Sequence, residues 1–342
     1  MLALNLNQES SLINRPKLTL EVTHKKLHSS LAQFNSHRLS PTVVNNNWIE
    51  AIVQNAAMFI KEGHFVERER QHVQQYLVHM PTDATAFMQW FDNLKYEAPG
   101  QGDALFPWLA STATLEQMRW FLKQEAAGEA GFDDMVAMTQ VKLPPQAKLE
   151  MARNYWDEMG RGHLNSMHGL MLERTVHDLK LTPTVEDTIW ESLALANLMM
   201  ALSTNRRYAY QSIGALGAIE MTAPTRVGFV NEGLKRLNVS FETRKYFQLH
   251  ATLDIKHSQA WNNEVIYSLV SNNPETAKPI AEGALMRLCS GARTYEKYKM
   301  HLDLLENLQL QVLLAQDNLG ALIIVLNSYM APIDELFHIM FY

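Results

Sequence analysis

Residues 241–273 read FETRKYFQLHATLDIKHSQAWNNEVIYSLVSNN, and the fold turns on how this stretch is read. Neither Pro nor Gly interrupts it. Phe247, Leu249, Leu253, Ile255, Trp261, Val265 and Leu269 recur at helical intervals, which predicts one long helix. At about 100° per residue, steps of four and seven return to nearly the same side. His250, Asp254 and His257 therefore leave one stripe of that helix, stacked over two turns. Neutral imidazole with carboxylate is a ligand set for Fe, Mn or Zn. A polar stripe turned to solvent is the competing reading, because His and Asp are common on exposed helix faces.

Outward from this stretch the chain reads as helices with short breaks. Helical patterns cover residues 48–62, 65–79 and 83–96, with Thr82 or Asp83 as the N-cap of the third. Residues 97–103, EAPGQGD, read as a loop, and 106–109 as a short helix. Residues 114–138 are helical with a break near Gly128 or Gly131. Pro144 and Pro145 open a helix through Glu158; Gly160 and Gly162 interrupt its pattern, which resumes through Met167, His168 and Leu172. Residues 185–202 are strongly apolar, 208–221 end before Pro224, and 227–237 form a shorter helix. Pro274 begins a helix over 275–305. Residues 1–46 are polar, with breaks at Pro16 and Pro41, and read as irregular or partly helical. No strand alternation and no fixed-period repeat appears, so the fold class is all-α.

Composition narrows the function. With 342 residues, 47% of them hydrophobic, a sizeable core is available. The net charge of −6 argues against nucleic acid or an anionic membrane surface as the partner. Cys289 is the sole cysteine, which excludes an intrachain disulfide and a Cys-rich metal site. Residues 1–7 lack a basic region followed by an apolar run, so no signal peptide is expected. The most apolar segment, 319–326, is too short to span a bilayer. The expectation is a soluble cytoplasmic protein acting on a small molecule.

A metal pair in a helical bundle takes inward-facing carboxylates and imidazoles from several helices. Glu220 closes the apolar run SIGALGAIEM at 212–221, beside Ile213, Leu216 and Gly217. A carboxylate there needs a compensating charge or a metal; the alternative is a helix-end acid paired with Arg226. Glu158 and His168 lie in NYWDEMGRGHLNSMHGLM, residues 154–171. Their step of ten leaves them about 80° apart on an ideal helix. A bulge or kink at Gly160 and Gly162 would absorb that difference. Asp157, at a step of eleven, fits the period better, and His163 is a rival to His168.

The segment NYWDEMGRG followed by MH, then Glu220, then H-x3-D-x2-H resembles the haem-oxygenase-like diiron oxidases and oxygenases. The likeness covers about residues 114–299. It implies a haem-oxygenase-like helical bundle with extra N-terminal helices, and metal ligands at Glu158, His168, Glu220, His250, Asp254 and His257. It further implies two non-haem irons, O2 as co-substrate and an external reductant. The YWDEMG context is nearest to members that oxidise nitrogen, so N-oxygenation of an amine or guanidine group is expected. Oxidative C–C cleavage or desaturation of an amino or fatty acid by the same site is the alternative, and a non-catalytic metal-binding helical protein the rival from another class. Some members carry one further carboxylate ligand; Glu125, Glu129 and Asp133 are the candidates at steps of four in the preceding helix. The division expected is 1–112 as N-terminal lead-in and accessory helices, 113–305 as the bundle, and 306–342 as an apolar helical segment. That last segment packs on the bundle or forms a homodimer contact.

Other motifs carry less. The pairs Glu21/His24 and Glu69/His72 have E-x-x-H spacing but lack matching acids in apolar helices. Cys289, in ALMRLCSGAR, has no His or acid near it in sequence and reads as a buried inert thiol rather than a nucleophile. No glycine-rich phosphate loop follows a strand. A mixed carboxylate and imidazole set suits two non-haem irons better than haem.

Overall fold

Helix ends in this chain are set by local chemistry that can be followed residue by residue. The computed structural model describes residues 9–41, 43, 47–128 and 131–316; the apolar segment 319–326 and Glu129 lie outside them. No strand forms among the described residues. The helices are α1 (Glu9–Leu39), α2 (Trp48–Val73), α3 (Ala84–Glu97), α4 (Leu105–Ser111), α5 (Leu115–Gly128), α6 (Phe132–Thr139) and α7 (Pro145–Glu158). They continue as α8 (His168–Asp178), α9 (Trp190–Thr204), α10 (Ala209–Arg236), α11 (Phe241–Ala260), α12 (Ser268–Asn272) and α13 (Ala277–Gln316). Asp83 caps α3 by accepting from the Ala86 amide at 3.0 Å. Thr114 and Gln117 start α5 as a reciprocal capping box, at 2.8 and 3.2 Å. Ser240 caps α11 by accepting from the Thr243 amide at 3.1 Å.

Two compact units emerge, Met1–Tyr295 and Glu296–Tyr342. The second is described to Gln316, as helix. In the first, α9 is the central element: it buries residues all round, from Leu193 and Ala194 to Leu198 and Met199, as a helix without a polar face must. α1 lies on it through a polar seam, where Asn35 Nδ2 donates to Asn197 Oδ1 and Asn197 Nδ2 donates to the His28 carbonyl, both at 2.9 Å. The apolar core runs without a break from Leu31, Phe65 and Phe87 in the N-terminal helices to Ile280 and Ala284 in α13. α10 and α13 cross in near backbone contact. A Cβ on Gly283 would sit 1.8 Å from the Gln211 carbonyl oxygen, so only glycine fits there.

Several boundaries differ from those the sequence predicts. Residues 1–46 are partly helical, as expected, but the break expected at Pro16 does not occur: α1 is a single helix of 31 residues. Its buried stripe includes His28 and Asn35 with Leu31, so part of the pattern is polar. Residues 48–73 form one helix rather than two. The apolar stretch 185–202 becomes helical only from Trp190. Pro224 does not end a helix; α10 runs through it for 28 residues. A proline there removes the amide that would bond the Glu220 carbonyl. Buried residues on both sides, Met221 and Thr222 before it and Val230 and Leu234 after it, hold the helix together. Residues 241–272 are helical throughout, but Trp261–Tyr267 widens to a π-helix. Trp261 is buried there and its Nε1 donates to the Ile213 carbonyl at 3.2 Å.

No helix among the described residues is long and apolar enough to cross a membrane.

Candidate metal centre

α11 buries its polar side. The buried residues are Thr243, Phe247, His250, Asp254 and His257, at steps of four and three, while Ile255 is 52% exposed. Ile255, one of the apolar residues whose spacing predicts the helix, thus faces away from the buried side. The solvated-stripe reading fails, since burying two imidazoles and a carboxylate is costly unless they are partnered.

Their neighbours come from α7, α8 and α10. Along α7 the buried face carries Glu150, Asn154 and Glu158, one turn apart. Glu158 is the last residue of α7, and His168 is the first of α8. The single bulged helix expected across Gly160 is not what forms; the chain leaves one helix, turns through two short 3-10 segments and starts another. Gly160 makes this turn feasible. Its φ is +60°, and a Cβ on it would lie 2.4 Å from the Ser166 carbonyl carbon. The turn closes so that His168 Nδ1 lies 2.7 Å from Glu158 Oε2. Thr175 and Thr243 then bind α8 to α11: Thr175 Oγ1 donates to the Thr243 carbonyl at 2.5 Å, and Thr243 Oγ1 donates to Asp178 Oδ2 at 2.8 Å.

The result is two groups of buried donors. Glu158, His168 and His250 form one, and Glu220, Asp254 and His257 the other; within each, one donor atom per residue lies within 4.8 Å of the others. The structure thus brings all six predicted residues together. His163 is exposed, and Arg226 donates to the Tyr295 hydroxyl instead of pairing with Glu220. The two groups are joined by His250 Nδ1, 2.9 and 3.1 Å from the Asp254 oxygens.

Asp157 stands behind the second group. Its Oδ2 lies 3.1 Å from His257 Nε2, and its Oδ1 accepts from Arg161 Nε at 2.6 Å. With Nε2 so engaged, Nδ1 is the nitrogen His257 turns towards Glu220 Oε2, at 3.7 Å, and Asp254 Oδ1, at 4.0 Å. Burial raises the Asp157 pKa, but the hydrogen bonds from Arg161 and His257 outweigh it and hold the carboxyl below its ordinary value. Asn154 Nδ2 donates to Glu220 Oε1 at 2.6 Å. Neither Asn154 nor Asp157's supporting role was foreseen. The signal for Asn154 was available: it lies one turn before Glu158 on the same face.

Electrostatics describe what this arrangement lacks. Glu220 has its pKa pushed well above the carboxylate range, first by burial and then by the charges of Asp254 and Glu158. Among the described residues, Glu158, Glu220 and Asp254 form ion pairs with histidines alone. Glu220 Oε2 and His257 Nδ1 are buried and make no hydrogen bond. Separations near 3–4 Å between such atoms are what donors about 2.0–2.2 Å from a shared cation show. These residues fit a bound metal. Of the acids at steps of four in the preceding helices, Asp133 is within electrostatic reach of Glu158, and Glu125 is exposed.

The other candidates have ordinary roles. His24 stacks on Trp190 at 4.5 Å, and Glu69 pairs with Arg293 at 3.2 Å. Cys289 is buried and its thiol is pushed up to about 11, chiefly by burial, which leaves it inert at neutral pH.

A family model described as iron-containing redox enzyme matches residues 119–292, just over half of the chain and all six donors. The chain belongs to that family. No curated protein matches it. As an iron-containing redox enzyme it is an oxidoreductase, and its all-α bundle is haem-oxygenase-like. The matched residues begin in α5 and end in α13, so they contain every helix that supplies a donor to the two groups.

Proposed function

We propose that Glu158, His168 and His250 hold one non-haem iron, that Glu220, Asp254 and His257 hold a second, and that the enzyme uses O2 to oxidise a small molecule. One observation carries this reading: three carboxylates are buried together with three imidazoles, and among the described residues no Lys or Arg pairs with those carboxylates. Iron at these positions supplies the one-electron steps through which O2 is reduced.

The chain's own residues do the rest. Asp157 fixes the tautomer of His257 through Nε2, and Asp254 fixes that of His250 through Nδ1. Asn154 holds one Glu220 oxygen and leaves the other towards the second group. All six donors are at most 8% exposed, so bulk water is kept from the reacting centre.

The reaction proposed is N-oxygenation of an amine or guanidine nitrogen, supported by the NYWDEMGRG context around Glu158. In it an N–H becomes N–OH, the second oxygen of O2 leaves as water, and an external donor supplies two electrons with two protons. The test is metal analysis followed by turnover. Two irons per chain are expected, with O2 consumed only when a reductant is present and a transient visible band when the ferrous protein meets O2. One iron or none per chain after anaerobic loading rules the assignment out.

A further inference from the structure

Three helices that supply the candidate donors also line a cavity one turn away. Leu172 follows His168 on α8, Ala223 follows Glu220 on α10, and Tyr246 precedes His250 on α11. With α4, α5 and α13 they enclose about 140 Å³, comparable to a cavity that takes a benzene-sized molecule. Most of the wall is apolar. Among the described residues lining it, the charged ones are Arg226, Arg287 and Glu125.

The two arginines are held in place. Tyr295 accepts a hydrogen bond from Arg226, and its ring is set edge-on against Phe106 at 5.0 Å. Arg287 lies beside Tyr295 as well, and its pKa is lowered, mainly by burial. Its Nη1 is shut off from solvent and has no hydrogen-bond partner. A desolvated N–H with nothing to donate to costs free energy that an anion would recover. Two guanidinium groups against one carboxylate leave a single positive charge. That balance suits a monoanion, and the planar fork suits a carboxylate. In the same wall, the Tyr246 ring lies 4.4 Å from that of His250.

We propose that this cavity is the substrate site, that Arg226 and Arg287 hold the carboxylate of a small acid in it, and that the far end of that acid faces Tyr246 and His250. The orientation rests on the metal reading above; the arginine subsite does not. The acid is thereby bound through its carboxylate to protein, not to iron, and is oxidised at the opposite end.

The experiment is calorimetric titration of the full chain with hexanoate and with hexylamine, repeated for Arg287→Gln, Arg287→Lys and His257→Ala. Hexanoate is expected to bind and hexylamine not. Arg287→Gln should weaken hexanoate by about tenfold or more, as loss of a charge-assisted hydrogen bond does, with iron content unchanged. Arg287→Lys, which keeps the charge, should fall between. Hexanoate should still bind to His257→Ala, the variant expected to lose iron. No hexanoate binding, binding indifferent to both Arg287 variants, or binding lost together with iron overturns the proposal. Full iron in His257→Ala refutes the metal reading and leaves the arginine result to stand by itself.

Discussion

Asp157 and Glu158 are adjacent on α7 and differ by about 100° in direction. One points at the back of His257, the other into the first donor group. Asp157→Asn keeps the shape but weakens the acceptor behind His257. Iron affinity should fall by about 10–100-fold, while saturating ferrous iron still loads both positions. Glu158→Gln removes a donor, and iron per chain should drop to about half after desalting; the reverse pattern would give Asp157 the donor role. Sequence periodicity favoured Asp157, because it assumed a helix from Asp157 to His168. The helix stops at Glu158, and no helical angle applies across the turn. The six residues were legible as a set only through the family resemblance carried by NYWDEMGRG, Glu220 and H-x3-D-x2-H; spacing alone left Asp157 and His163 as rivals. Asn154 was overlooked although it lies one turn before Glu158 on the same face, since an amide carries no comparable metal signature.

Among the elements, the turn between α7 and α8 is sterically constrained at Gly160. Gly160→Ala meets two penalties: a positive φ, and a Cβ within 2.4 Å of the backbone at Ser166. Destabilisation of about 2–4 kcal/mol is expected, read as a lower urea midpoint. Because the same turn sets the 2.7 Å approach of His168 to Glu158, iron content should fall as well. Wild-type stability and iron in this variant would show that the turn can be rebuilt. The elements least legible in sequence are those where tertiary burial overrides a local rule. α10 passes through Pro224, and a π-helical turn follows α11, in which Trp261, Val265 and Ile266 are buried. That helices are present throughout was legible, since apolar spacing alone indicates it.

At the scale of the whole molecule, α1 joins the first compact unit through a histidine. His28 is 2% exposed, edge-on to Phe65 at 4.8 Å, and its pKa is lowered to about 3, chiefly by burial. Unfolded, the same imidazole titrates near 6.5. The unfolded chain therefore binds the extra proton first as pH falls. The contribution of neutral His28 is complete above pH 6.5 and shrinks between 6.5 and about 3. Each pH unit below 6.5 should cost about 1.4 kcal/mol. Urea unfolding at pH 7.5 and 5.5 should show this slope in the wild type and a shallower one in His28→Leu. Equal slopes would mean that His28 does not govern the acid limb.

The buried carboxylates have a consequence for the life of the chain in a cell. Without a cation, Glu158, Glu220 and Asp254 repel one another where water cannot screen them. Iron that binds the folded chain alone adds to its stability with each increment of free metal. A newly made chain that has not met iron is then the form most open to proteases, and abundance follows iron supply after translation. Limited proteolysis should cut the chelated protein faster than the iron-loaded protein, with the early cuts at the turn between Glu158 and His168. Equal cutting rates with and without iron would remove this link between metal and turnover.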